Sequence, residues 1–154
     1  MTRDVPAERR ALSASLPGTW RLQSRVDVTA RGERRPEPSL GETPLALLIY
    51  DRSGNFAAQF MRLDRSVVVS DGPAQAKNNS RAQGGYDAYF GSYTIDDESS
   101  TVTQHLLGAL SRENVGAVLT RAMDVEGDTL VIRLETSAAD GEPVTRTLTW
   151  QRVG

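Results

Sequence analysis

One arginine lies in an apolar stretch of this chain, and it is the strongest candidate for a chemical role. Arg121 lies among Val118, Leu119, Ala122 and Met123. A guanidinium in such surroundings needs an oxygen partner, either a carboxylate of the protein or an oxygen of a bound molecule. With a period of two, Leu119, Arg121 and Met123 share one face of a strand and could line a cavity. A pocket position and a salt bridge or outward position both remain open for Arg121.

The chain has a single histidine, His105, and an imidazole is a natural general acid or base because it titrates near neutral pH. In a strand it shares a face with Thr103 and Leu107, opposite the more apolar face that carries Val102 and Leu106. We therefore expect His105 to face water or a polar pocket wall. No metal site is expected, because zinc normally draws on several His or Cys ligands and the chain has no cysteine.

Three tyrosines, one glutamine and one methionine complete the predicted site. An aromatic ring with a polar tip suits the wall of a mostly apolar cavity, although a place in the barrel core is the alternative for each tyrosine. A mid-strand amide can donate to a carbonyl, and a thioether adapts to the shape of a ligand. The predicted catalytic residues are Arg121, Tyr50 and Gln59, and the predicted ligand contacts are Tyr93, Met61, Tyr89, His105, Leu119 and Met123.

Composition narrows the function classes. The net charge is −2, and the 17 arginines are scattered, so nothing favours nucleic acid or an anionic membrane as a partner. The absence of cysteine excludes disulfides and thiolate catalysis. Residues 1–15 contain no apolar run typical of a signal peptide, and no apolar stretch is long enough to span a membrane. We therefore expect a cytoplasmic protein, and no cofactor, since no glycine-rich phosphate loop follows a strand.

Alternating apolar and polar residues mark strands along most of the chain. The alternation is clear in Trp20-Leu22-Ser24-Val26-Val28 and in Leu130-Ile132-Leu134, where it places one set of side chains on one face. One buried and one wet face is typical of antiparallel sheets. The pattern predicts an all-β fold, an eight-stranded antiparallel up-and-down barrel with an internal cavity of roughly 300–1,000 Å³ and one or two short helices. The predicted strands are about 19–29, 46–50, 55–62, 86–95, 101–110, 115–125, 129–136 and 143–152.

Two domain segments are predicted, an N-terminal segment over 1–15 and the barrel over 16–154. A short helix is expected at 7–16, where Pro17-Gly18 ends it. Residues 31–44 hold three prolines and two glycines and predict a long loop. Residues 64–84 are the least regular part. A helix over 73–82 could cross the barrel mouth as a lid, or the segment could be a plain surface excursion, which we favour.

Six short phrases of the chain match the motifs of a known family, in the family's order. The phrases are Gly18-Thr19-Trp20-Arg21-Leu22, Leu48-Ile49-Tyr50 followed by Gly54, Gln59-Phe60-Met61-Arg62, Tyr89-Phe90-Gly91-Ser92-Tyr93, Val102-Thr103-Gln104-His105 and Leu148-Thr149-Trp150. Together they resemble the bacterial lipocalin-like domain family, whose members have a single short barrel. Arg121 also matches an arginine that is common in this family.

The resemblance implies a small β-barrel with an internal cavity, and it implies little about activity. Similar barrels of the lipocalin and allene oxide cyclase kinds include cyclases that fold reactive polyketide or terpenoid chains, which is an analogy at the level of the fold. The chain departs from the family at two places. It has Gln104-His105 where two adjacent histidines are usual, and Val115 follows Asn114 where the family tends to have tryptophan.

Two functions from different classes follow. The first is a cofactor-independent cyclase or isomerase that folds an apolar, polyketide- or terpenoid-like molecule inside the barrel, in secondary metabolism. The alternative is a non-catalytic binding or carrier protein for a hydrophobic small molecule, and a side-chain-filled interior without a ligand is a third. The expected partner is an apolar small molecule, with no nucleic acid and no membrane, and a homodimer remains open.

Overall fold

Eight antiparallel strands close into a barrel in the computed structural model, which describes residues 11–66, 71–73 and 78–154. Each strand pairs with the next along the chain, and the first and last pair to close the ring. A ninth, two-residue strand lies at the edge of the first. The strands are β1 (Gly18–Val28), β2 (Arg34–Arg35), β3 (Leu45–Tyr50), β4 (Asn55–Met61), β5 (Tyr86–Asp96), β6 (Thr101–Ala109), β7 (Val118–Glu126), β8 (Thr129–Ser137) and β9 (Pro143–Arg152).

The predicted fold class is confirmed. Each hairpin predicted from alternation and turn residues is present, and the boundaries agree to within a few residues. The structure adds β2, which lies inside the predicted 31–44 loop and pairs with the end of β1. Within the described part of the chain, no helix is long and apolar enough to cross a membrane.

Strand β1 changes face halfway along its length. Trp20 and Leu22 are buried, but the register against β9 shifts between Leu22 and Ser24, and the buried residues after the shift are Arg25 and Asp27. An extra residue in one strand of an antiparallel pair reverses the alternation beyond it. The prediction that Val26 shares the face of Trp20 is therefore wrong.

One end of the barrel is closed by a short helix. Helix α1 (Leu12–Ser15) is shorter than predicted, and the residues before 11 lie outside the described part. Leu16 is fully buried, and its carbonyl accepts a hydrogen bond of 3.0 Å from Trp20 Nε1. The Ser13 hydroxyl donates to Asp97 at 2.6 Å, which ties α1 to the β5–β6 turn. Leu16 and Trp20 thus lie fully buried in the interior at this end.

The opposite end is covered by loops. The 29–44 loop, the β8–β9 turn and the described residues of the β4–β5 connection contribute to the wall of an interior cavity. The surface excursion favoured from the sequence is therefore wrong for the described part of 64–84, in which Ser80 and Ala82 lie against the cavity. Residues 78–82 form no helix, and 74–77 of the predicted 73–82 helix lie outside the described residues.

Candidate ligand-binding cavity

A cavity of about 240 Å³ occupies the half of the barrel next to these loops. At ~30 Å³ per water-sized group, it holds a ligand of about eight such groups. The cavity is smaller than the sequence led us to expect, because three buried arginines occupy part of the interior. Its apolar wall consists of Leu40, Leu48, Phe60, Ala82, Ile132, Leu134, Leu148 and Trp150.

Two ion pairs lie at the mouth of the cavity. Asp27 and Arg146 form two hydrogen bonds, Nε to Oδ1 at 2.7 Å and Nη2 to Oδ2 at 3.0 Å. Arg25 Nη1 donates to Glu37 Oε1 at 2.9 Å and to the Gly41 carbonyl at 3.1 Å. Geometry with two parallel bonds is the strongest that arginine makes with a carboxylate. The pairs connect β1 to β9 and to the 29–44 loop.

Burial and charge act in opposite directions on the second pair. Burial and the charge of Arg146 lower the pKa of Arg25 to about 10. Burial raises the pKa of Glu37, but the charge of Arg25 and a hydrogen bond from Ser39 outweigh it and bring the pKa to about 2. Both groups are therefore charged at neutral pH, and each neutralises the other.

Arg121 differs from these arginines because its partners are neutral. Its side chain is buried, and Nη1 donates to the carbonyls of Asn78 at 2.8 Å and Thr120 at 3.1 Å. Among the residues that the structure describes, no carboxylate lies within 4 Å of it. Burial lowers the pKa of Arg121, but a guanidinium stays charged in proteins. The cavity thus contains a cation that no carboxylate of the described residues pairs with.

Two buried tyrosines share this part of the cavity. Burial is the main cause that raises the pKa of both Tyr50 and Tyr89, so both phenols are protonated at neutral pH and can donate. The Tyr50 hydroxyl accepts a hydrogen bond from Gln104 Nε2. Two buried polar atoms of the described residues lack a partner, Gln104 Oε1 and Trp150 Nε1. Such atoms in a native interior are usually satisfied by a bound molecule or water.

Asp87 supplies a carboxyl group to the same cavity. It is buried, and its Oδ2 accepts a hydrogen bond of 2.6 Å from the Ser80 hydroxyl. Burial raises the pKa of Asp87, which favours its neutral form relative to a free carboxyl. A buried carboxyl with a raised pKa is a candidate for proton transfer.

The sequence profile of one family, described as the lipocalin-like domain, matches residues 17–153. This chain belongs to the lipocalin-like domain family. The match spans every strand of the barrel, and a lipocalin-like barrel fits a small hydrophobic ligand. No curated protein matches the chain.

The lipocalin-like barrel brings three of the nine predicted site residues together in the cavity, which are Tyr50, Tyr89 and Arg121. Leu119 and Met123 are buried in the core on the same strand as Arg121, but they do not line the cavity. Tyr93 is also buried, and its hydroxyl donates to the Asp51 carbonyl in the β3–β4 turn. The roles of these residues stay predictions.

The remaining three predicted site residues lie away from the cavity. Gln59 is exposed, and with Met61 it lines a shallow groove on the outer surface of β3 and β4. His105 is exposed on the outer face of β6, as alternation indicated. The neighbouring strand approaches very closely at this point, since a Cβ at Gly91 would overlap the His105 carbonyl oxygen.

Sequence reasoning missed seven residues whose side chains bear on the chemistry of the cavity. Gln104 and Arg146 were detectable as polar residues on the apolar faces Val102–Leu106 and Val144–Leu148. Arg25 and Asp27 were hidden by the bulge in β1, and Glu37 lies in a loop without a pattern. The missed residues are Arg25, Asp27, Glu37, Asp87, Gln104, Arg146 and Trp150. The described residues contain no group of three His, Asp or Glu side chains that could hold a metal ion.

Proposed function

We propose that this lipocalin-like protein encloses one small molecule with an apolar body and catalyses its cyclisation or isomerisation without a cofactor. One observation carries the proposal. The cavity joins an apolar wall to a group of hydrogen-bond donors formed by Tyr50, Tyr89 and Arg121. A mostly apolar pocket with a few convergent polar groups is the usual form of a small-molecule site.

The shape of the cavity supplies the first part of the mechanism. A flexible molecule held among Leu48, Phe60 and Leu148 loses the freedom that would otherwise oppose ring closure. Protonated phenols and the guanidinium stabilise negative charge that develops on a carbonyl oxygen in the transition state. Asp87 adds a carboxyl that can take a proton from one carbon and return it to another.

Binding is tested with 2-naphthol, a fluorescent apolar probe of about the size of the cavity. We expect one probe per chain. Leu134→Trp fills the cavity from β8 and should abolish binding, whereas Leu107→Trp places the same ring on an exposed position of β6 and should leave it unchanged. Circular dichroism checks that both variants fold. Equal binding by both variants would contradict a site inside the barrel.

Catalysis is tested with β,γ-unsaturated ketones of about eight non-hydrogen atoms, a size set by the cavity volume. A proton removed from the α carbon leaves a dienolate, and its return at the γ carbon gives the conjugated ketone. Conjugation raises the ultraviolet absorbance, so turnover is followed directly. Conversion no faster than with Leu134→Trp would contradict isomerase activity on this class of ketone.

A carrier without catalysis is the second candidate. The loops over the mouth favour it, because the ion pair of Arg25 with Glu37 holds the 29–44 loop in place. The buried ion pair of Asp27 with Arg146 holds β9 in the same way. A mouth held in this way favours retention of a ligand over rapid exchange. Slow release of 2-naphthol together with no turnover of any ketone would support the carrier.

A further inference from the structure

Among the described residues, one of the arginines that line the cavity has no carboxylate paired with it. Four arginines contribute to the cavity wall, and three of them have a carboxylate within 4 Å. Arg121 has none among the described residues. The paired arginines are Arg25 with Glu37, Arg146 with Asp27, and Arg35 with Asp140 and Glu142.

An isolated cation is costly in this position. The Arg121 side chain is 5% exposed, and removing a charge from water without a counter-charge carries a large desolvation cost. Its described hydrogen bonds, to the Asn78 and Thr120 carbonyls, both use Nη1. Among the described residues, the other N–H groups of the guanidinium have no hydrogen-bond partner, which leaves them for an oxygen in the cavity.

Two phenols in the same cavity as Arg121 can add hydrogen-bond donors. Tyr50 and Tyr89 are these phenols, and burial, which raises the pKa of each, keeps both protonated at neutral pH. In the Tyr50–Gln104 pair the amide donates to the phenol, so the phenol proton is free to donate elsewhere. If the amide is turned over, both of its N–H groups become free instead, so a spare donor exists in either orientation.

Asp87 is the cavity carboxyl that could oppose this arrangement. No ion pair of the described residues joins it to Arg121, and its Oδ2 accepts a hydrogen bond from the Ser80 hydroxyl. Arg25 is the arginine whose charge acts on the carboxyl of Asp87. Asp87 therefore does not take the place of a counter-ion for Arg121.

We propose that the ligand is a short apolar monocarboxylic acid whose carboxylate binds Arg121 with help from Tyr50 and Tyr89. The tail packs against the apolar wall, and the cavity volume limits the whole acid to about eight carbons. The inference rests on the proposed binding function and names the head group of the molecule that binds. Hydrogen bonds between charged groups are stronger than those between neutral groups. The head group therefore determines which ligands of similar tail length the cavity prefers.

The experiment compares octanoate, 1-octanol and octylammonium by isothermal titration calorimetry at neutral pH. These probes share a tail and differ only in the head group. We expect octanoate to bind at least about 10-fold more tightly than octanol, the factor expected for a hydrogen bond to a charged group, and octylammonium to bind most weakly. Arg121→Gln should remove the preference for octanoate and change the affinity for octanol by less than about threefold.

Matched variants separate this result from a loss of folding. Arg121→Lys keeps the charge and should keep part of the preference, and Arg133→Gln removes an exposed arginine of β8 and should leave it intact. The comparison of the three probes on the unmodified protein needs no variant. Equal affinity for octanoate and octanol, or a preference that survives Arg121→Gln, overturns the inference while the binding function stands. Binding of none of the three probes overturns both.

Discussion

Asp27 and Arg146 lie opposite each other on β1 and β9, and their side chains meet inside the barrel through two hydrogen bonds of 2.7 and 3.0 Å. Neither side chain is more than 8% exposed. The pair exists because the bulge in β1 turns Asp27 inward at the position where β9 presents Arg146. It places two mutually neutralising charges in the wall of the cavity, close to its mouth.

Breaking this pair from one side should strongly destabilise the protein. Arg146→Met leaves the Asp27 carboxylate buried without its hydrogen-bonded arginine, and we expect the free energy of unfolding to fall by about 3–5 kcal/mol. The double variant Asp27→Leu with Arg146→Met removes both charges and should recover most of that loss. Urea unfolding followed by tryptophan fluorescence measures both changes. A double variant no more stable than Arg146→Met would contradict the explanation.

Glu37 should make stability depend on pH in the acid range. The charge of Arg25 and the hydrogen bonds to Glu37 outweigh burial and hold its pKa at about 2, below the ordinary value of 4.5. Its contribution is therefore complete above about pH 4.5 and is lost as the pH falls towards 2, by up to about 3 kcal/mol. Glu37→Gln should flatten the stability curve in this window.

The control for this experiment is Glu98→Gln, which removes an exposed carboxylate from the β5–β6 turn. Its stability should follow the unmodified protein between pH 2 and 4.5. Urea midpoints at a series of pH values give the comparison. Parallel curves for Glu37→Gln and the unmodified protein would show that the Arg25–Glu37 pair adds no stability.

The closed end of the barrel should depend on Leu16. This side chain is fully buried beneath α1, and its deletion in Leu16→Ala leaves a void against Trp20 that should cost about 2–5 kcal/mol. Leu107 is 68% exposed on β6, so Leu107→Ala should change stability by no more than about 0.5 kcal/mol. Thermal unfolding compares the two. A similar cost for both would mean that α1 does not seal the barrel.

Turnover of a ketone substrate should separate the cavity residues from the outer ones. Arg121→Gln and Tyr50→Phe each remove one preorganised donor and should slow turnover by about 10- to 1,000-fold. Gln59→Ala and His105→Ala change exposed positions outside the cavity and should leave turnover within about twofold, since no contact with the reacting molecule is lost. Initial rates of each folded variant measure this. Loss of activity in His105→Ala alone would show that chemistry occurs on the outer face.

Alternation and turn residues were enough to predict the barrel. A period of two is a local property of each strand, and Leu130-Ile132-Leu134 and Leu148-Trp150 show it without reference to any neighbour. The same rule predicted that Arg121 lies on an apolar face and that His105 lies on the polar one. These placements needed only the chain's own periodicity.

The composition of the site depended on contacts between distant segments. The bulge in β1 reverses the face of every later residue in that strand. No residue type in Leu22-Gln23-Ser24 indicates a bulge, and Arg25 and Asp27 were therefore missed. Gln59 was predicted in the site because alternation separates the two faces of a strand but does not show which face points into the barrel. The partner of a buried arginine likewise depends on which residues lie across the barrel. Only the tertiary structure shows that Arg146 pairs with Asp27, whereas Arg121 contacts backbone carbonyls and shares its cavity with two phenols.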